Sequence, residues 1–183
     1  MGIVPNVWTM ARERHRGTSF AGTVADSFSA QACRFEDCSF ADLRLGGFIP
    51  GFSRARSTYT ACVFDGSKIT LGPVGYATFE RCSFRNVTLS EWFWEGVDLI
   101  DCTFSGVLRV GKFRGMVPED GRKNRIEGND FSQLLVDDVA FVREFGQPEI
   151  AAQARRASDR SGGCSLSGIG PPNCRGKRYS DSG

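Results

Sequence analysis

The 183-residue chain predicts an all-β fold in which the backbone coils around a four-sided core. Three observations predict it. Bulky apolar residues recur every five positions: Phe35, Phe40, Leu45, then Tyr59, Phe64, Ile69, Val74, Phe79, Phe84, Leu89, Trp94, Leu99 and Phe104, then Ile126, Phe131, Val136 and Phe141. Two residues before most of these stands a small or apolar residue, among them Cys33, Cys38, Leu43, Cys62, Ser67, Ala77, Cys82, Val87, Val97 and Cys102. The third is a longer spacing of 20 residues, which aligns Cys62, Cys82 and Cys102, Phe64, Phe84 and Phe104, and Tyr59, Phe79 and Leu99.

A helix repeats at about 3.6 residues and a strand at about 2, so neither alone explains five. A five-residue unit works when the chain turns a corner at every repeat. Four corners then make one turn of 20 residues. Within a unit the bulky residue and the one two before it share a strand face and point inward. The ladders of Cys62, Cys82 and Cys102, of Phe64, Phe84 and Phe104, and of Phe79 with Leu99 therefore stack on one wall each, rung over rung at about 4.8 Å.

The stretches FEDCSFADLRL (35–45), FERCSFRNVTL (79–89) and VDLIDCTFSG (97–106) resemble pentapeptide-repeat proteins. The resemblance covers roughly Cys33 to Phe145, with a weaker start near Phe20. It implies a right-handed quadrilateral β-helix and an inward position filled by Ala, Cys, Ser, Thr or Val.

The segments divide as follows. Residues 1–19, with three Arg and one Glu, are expected to form a basic arm. Residues 20–145 hold the β-helix and 17 acidic against 14 basic residues, a mildly acidic body. The phase slips between Leu45 and Tyr59, where GGFIPGFSR (46–54) predicts a looped or bulged corner. It slips again after Phe104, where Pro118 and Asp120-Gly121 predict an exposed loop over 114–123. Residues 146–183 lack Phe, Trp, Val and Met and are rich in Gly, Ser and Pro, which predicts a disordered tail with one short helix over 149–157.

No apolar run reaches the roughly 18 residues of a membrane helix, and 1–17 has no apolar core for a signal peptide. A cytoplasmic location and free thiols are expected. Five of the seven Cys fall on the inward small position, where Cys acts as a small hydrophobe. No CxxC pair, Walker loop or GxGxxG occurs. The single His15 reads as part of the solvated arm, and Asp137-Asp138 as solvated surface. No cofactor or metal is expected.

The run EWFWE (91–95) places Trp92 and Trp94 inward by phase and Phe93 outward. Two readings follow: a core rearranged around large rings, or a slipped phase that exposes an aromatic for a partner. Trp92, Phe93, Trp94 and Phe145 are therefore the candidate partner-binding residues. The leading functional reading is a non-enzymatic scaffold for protein binding, with a homodimer through an apolar rim at Val136, Phe141 and Phe145. Some proteins of the family it resembles mimic DNA and bind type II topoisomerases such as gyrase. That role needs an acidic column, whereas Asp65, Arg85 and Ser105 alternate on one wall. A carbohydrate-active β-helix enzyme and a passive repeat protein are the remaining readings. Direct nucleic-acid and membrane binding are not expected.

Overall fold

In the computed structural model the described residues are 6–52, 55–113 and 122–141. They form eleven strands and one continuous parallel sheet: β1 (Val7–Ala11), β2 (Arg14–Arg16), β3 (Val24–Gln31), β4 (Arg34–Glu36), β5 (Arg44–Ile49), β6 (Ser57–Thr60), β7 (Lys68–Glu80), β8 (Ser83–Ile100), β9 (Thr103–Phe113), β10 (Ile126–Glu127) and β11 (Asp130–Phe141). Every strand pair is parallel, and each turn of the chain lies on the one before it, which makes a β-solenoid.

The corners explain the period of five. Eleven non-glycine residues have φ between 51° and 56°. Each stands two residues after an inward centre, as Asp37 follows Phe35, Ala61 follows Tyr59, Arg81 follows Phe79 and Asp101 follows Leu99. One left-handed residue per unit turns the strand, and small or polar Asp, Asn and Gly supply many of these positions at least cost.

Four stacks fill the core. On the first wall His15, Phe35, Tyr59, Phe79, Leu99 and Ile126 align in register. On the second, Phe40, Phe64, Phe84, Phe104 and Phe131 stack at centroid distances of 4.7–4.9 Å, with Phe20 ending the column at 5.0 Å from Phe40. The third carries Ala25, Leu45, Ile69, Leu89, Leu108 and Val136. The fourth begins with Trp8 and Met10 over Phe28 and Ala30. Cys38, Cys62, Cys82 and Cys102 run beside the second wall, all buried and free. The thiol of Cys82 donates to the Tyr59 carbonyl of the preceding turn at 3.3 Å, and its contacts with the Cys102 and Cys62 thiols, together with burial, push it up.

Two expectations, on residues 7–16 and 46–54, are corrected. Residues 7–16 are not an arm: β1 and β2 form the first turn, paired on β3 and β4. Met10, His15, Phe20, Ala25 and Ala30 hold the same five-residue phase as Phe35. His15 points inward, stacked on Phe35 at 5.5 Å and joined to Glu13 at 2.9 Å. The segment 46–54 is not simply a loop, because Phe48 continues the fourth wall, 5.6 Å from Phe28 and buried. That turn takes 24 residues, Phe35 pairing with Tyr59. Of the loop expected over 114–123, Arg122 and Lys123 are described, and Arg122 pairs with Asp98; residues 114–121 lie outside the described residues. The tail 146–183 and Phe145 lie outside the described residues.

Candidate functional site

The EWFWE segment lies in β8. Trp92 is 1% exposed and belongs to the core, so its indole is not available to a partner. The room for it comes from glycine. In register, Gly72 precedes Trp92 on the fourth wall and Gly111 follows it. A β-carbon on Gly72 would meet the Phe48 carbonyl oxygen at 2.7 Å. With no side chain there, Phe48 and Trp92 stack across the glycine rung at 6.3 Å and 15°. One indole thus serves more than one turn. The side chain of Trp94, like Phe145, lies outside the described residues.

Phe93 points out and is 40% exposed. It does not stand alone. Leu71, Glu91 and Val110 occupy one corner of three successive turns, as the pairing of Gly72 with Trp92 and of Trp92 with Gly111 requires. Leu71 is 46% and Val110 43% exposed. Val110 has φ 53°, a conformation that a β-branched residue rarely adopts. Glu91 and Asp138, on the same corner, share it at 51° and 53°. Leu71 and Val110 therefore stand out on this corner on either side of Glu91, and Phe93 projects from the adjoining fourth wall, in register with Lys112.

A second cluster joins the two irregular regions of the chain. Asp98 is buried although it occupies an outward position, following Thr78 and preceding Arg125 in register. Its Oδ2 accepts from Arg56 Nη1 and from Arg122 Nη2, each at 2.6 Å. Its Oδ1 accepts the Arg125 amide at 2.9 Å. Arg56 also donates to the carbonyls of Ala77 and Gly96. One carboxylate thereby holds the segments that precede β6 and β10.

The two ends differ. At the C-terminal end Phe131, Leu134 and Val139 are buried and Val136 is half-buried against the core. The side chain of Phe141 lies outside the described residues, as does Phe145, so the expected rim is described only at Val136. At the N-terminal end Val7 and Val24 are 54% and 65% exposed. With Asn6, Trp8, Phe20, Thr23 and Ala25 they line a shallow hollow of about 390 Å³. Sequence reasoning missed this end. The signal was the phase of Met10 and His15, hidden because neither residue is a typical bulky centre.

Compared with models of known protein families and with curated proteins, the chain matches neither. Among the described residues, no group of three or more His, Cys, Asp or Glu is placed to hold a metal ion.

Proposed function

We propose that the chain is a pentapeptide-repeat scaffold that binds a protein partner through Leu71 and Val110 on one corner and Phe93 on the wall beside it. The observation that carries this reading is Val110, a branched apolar residue kept exposed and left-handed where Asn or Gly would be cheaper. Exposed apolar side chains on a rigid frame mark interfaces, and Phe is among the side chains enriched there. The frame is rigid because the corner is set by buried stacks directly behind it, Trp92 among them.

A DNA-mimic role that binds a topoisomerase is less well supported. Glu36, Asp37, Glu80, Asp101 and Glu127 lie along one edge of the first wall, with Thr60 and Ile100 on the rungs between them. Arg81 interrupts it and pairs with Glu80, while Arg16 lies 3.8–4.0 Å from Asp37 and Glu36.

The test is capture from an extract of the source cells, with the wild-type protein and a Phe93→Ser, Val110→Asn variant as baits. The expected result is a protein held by the wild type and lost from the variant, with the variant's melting unimpaired. Identical captured sets would contradict the assignment of this corner.

A further inference from the structure

We infer that the open edge of β2 takes an extended acidic segment of a partner protein as an added parallel strand, with an acidic–apolar–acidic triplet over Arg14, His15 and Arg16. This surface is separate from that of Leu71, Phe93 and Val110 and stands without it.

Among the described residues β2 is the last strand on its side of the sheet. Glu13 O accepts the Arg34 amide and the Gly17 amide donates to Glu36 O, at 2.9 Å each. Residues of a parallel strand bond alternately to the two sides. His15 therefore pairs with β4, while the amide and carbonyl of Arg14 and Arg16 face the open edge. A strand laid there would donate its central amide to the Arg14 carbonyl and accept the Arg16 amide at its central carbonyl. An edge of this kind is a template for strand addition.

The side chains specify what is added. In the next rung Arg34 stands in register beside Arg14, and Arg12 precedes them at the corner. Arg12, Arg14 and Arg34 are exposed and make no ion pair among the described residues. Like charges directly opposite on a sheet repel, and a carboxylate over Arg14 relieves that repulsion, while the second lies over Arg16, whose guanidinium also faces Asp37 and Glu36 at 3.8–4.0 Å. Arg guanidinium suits carboxylate because it bonds to it in a forked geometry. Inward, His15 has a side chain 23% exposed and ends the column of Phe35, Tyr59 and Phe79. The central residue of the triplet lies over that ring and the neighbouring Phe20, so it is apolar.

A second copy of this chain does not supply the segment. Of its 21 acidic residues, no two stand two positions apart. The occupant is therefore a different protein. A nucleic-acid strand would satisfy the charges alone, since no exposed aromatic alternates with Arg12, Arg14 and Arg34 for bases to stack on.

The experiment is fluorescence anisotropy with the full chain and a labelled peptide, Ser-Asp-Val-Asp-Ser. Binding at low salt is expected to weaken about tenfold or more when the valine amide is N-methylated, and by a similar factor in Arg14→Glu. Hydrogen exchange on the wild type is expected to slow at the Arg16 amide when the peptide is added. Arg14→Gln, which removes charge without reversing it, is expected to fall between wild type and Arg14→Glu. Equal binding of the scrambled peptide Ser-Asp-Asp-Val-Ser, of the N-methylated peptide, or of a short oligothymidylate would overturn the inference, as would an unprotected Arg16 amide.

Discussion

Val110 is held where a branched side chain is unfavourable. The left-handed region costs an L-residue about 1–2 kcal/mol, and Asn tolerates it better through local hydrogen bonding. Val110→Asn is therefore expected to stabilise the protein by about 1 kcal/mol in urea melts, while weakening partner capture. A loss of stability would show that Val110 is packed rather than strained. Phe84 is the opposite case. It lies between Phe64 and Phe104 at 4.7 and 4.8 Å and is fully buried. Phe84→Ala is expected to cost about 3–5 kcal/mol, and a cost below about 1 kcal/mol would mean the stack closes over the gap. Tyr59 adds a pH dependence. It is buried, donates to the Pro50 carbonyl at 3.0 Å, and burial raises it well above the ordinary value of about 10. Below that value the phenol is neutral in both states and its contribution is complete. As pH rises past it the unfolded chain ionises first, so stability falls. Tyr59→Phe is expected to flatten the alkaline limb of the stability profile, and an unchanged slope would contradict the assignment.

At the scale of elements, two devices absorb the irregularities of the repeat. Gly72 and Gly111 make room for Trp92, and the Asp98 carboxylate gathers Arg56 and Arg122 from two segments of extra length. Removing one partner of a buried charge group leaves the others uncompensated. Asp98→Ala is expected to cost about 3–5 kcal/mol, read from denaturant midpoints, and a loss under about 1 kcal/mol would show the two segments held by other contacts. These devices also mark how far the sequence can be read. The ladders of Cys62, Cys82 and Cys102 and of Phe64, Phe84 and Phe104 were legible, because large and small residues repeat at the length of one turn. The inward direction of Trp92 was legible from phase, but not its fit, which depends on a glycine one turn before it. The Asp98 cluster was illegible. Arg56 and Arg122 lie 42 and 24 residues from Asp98, and neither separation is a multiple of the turn. Leu71 and Val110 read as ordinary outward positions until the register set them on either side of Glu91, two residues from Phe93.

The whole molecule is a stack, so its ends matter more than its net charge. The charge of +2 conceals a first wall with Arg12, Arg14 and Arg34 on one edge and Glu36, Asp37 and Glu80 on the other. The basic N-terminal segment is part of the fold: Trp8 of β1 and His15 of β2 cover Phe28 and Phe35, and Phe20, which follows β2, covers Phe40. Deleting residues 1–19 is therefore expected to expose two aromatic columns, those headed by Phe28 and Phe35, and to abolish a cooperative melt, whereas removal of a solvated arm would leave the melt unchanged.

The central claim is that one first-wall strand lies over the next through the length of the solenoid. Electron–electron distance measurement between spin labels at Arg16→Cys and Glu127→Cys tests it most directly. The two positions are far apart in sequence and five strand steps apart on one wall. At about 4.8 Å per step the expected separation is about 24 Å, in a single narrow distribution. A broad distribution, or one centred beyond about twice that length, would contradict the stack.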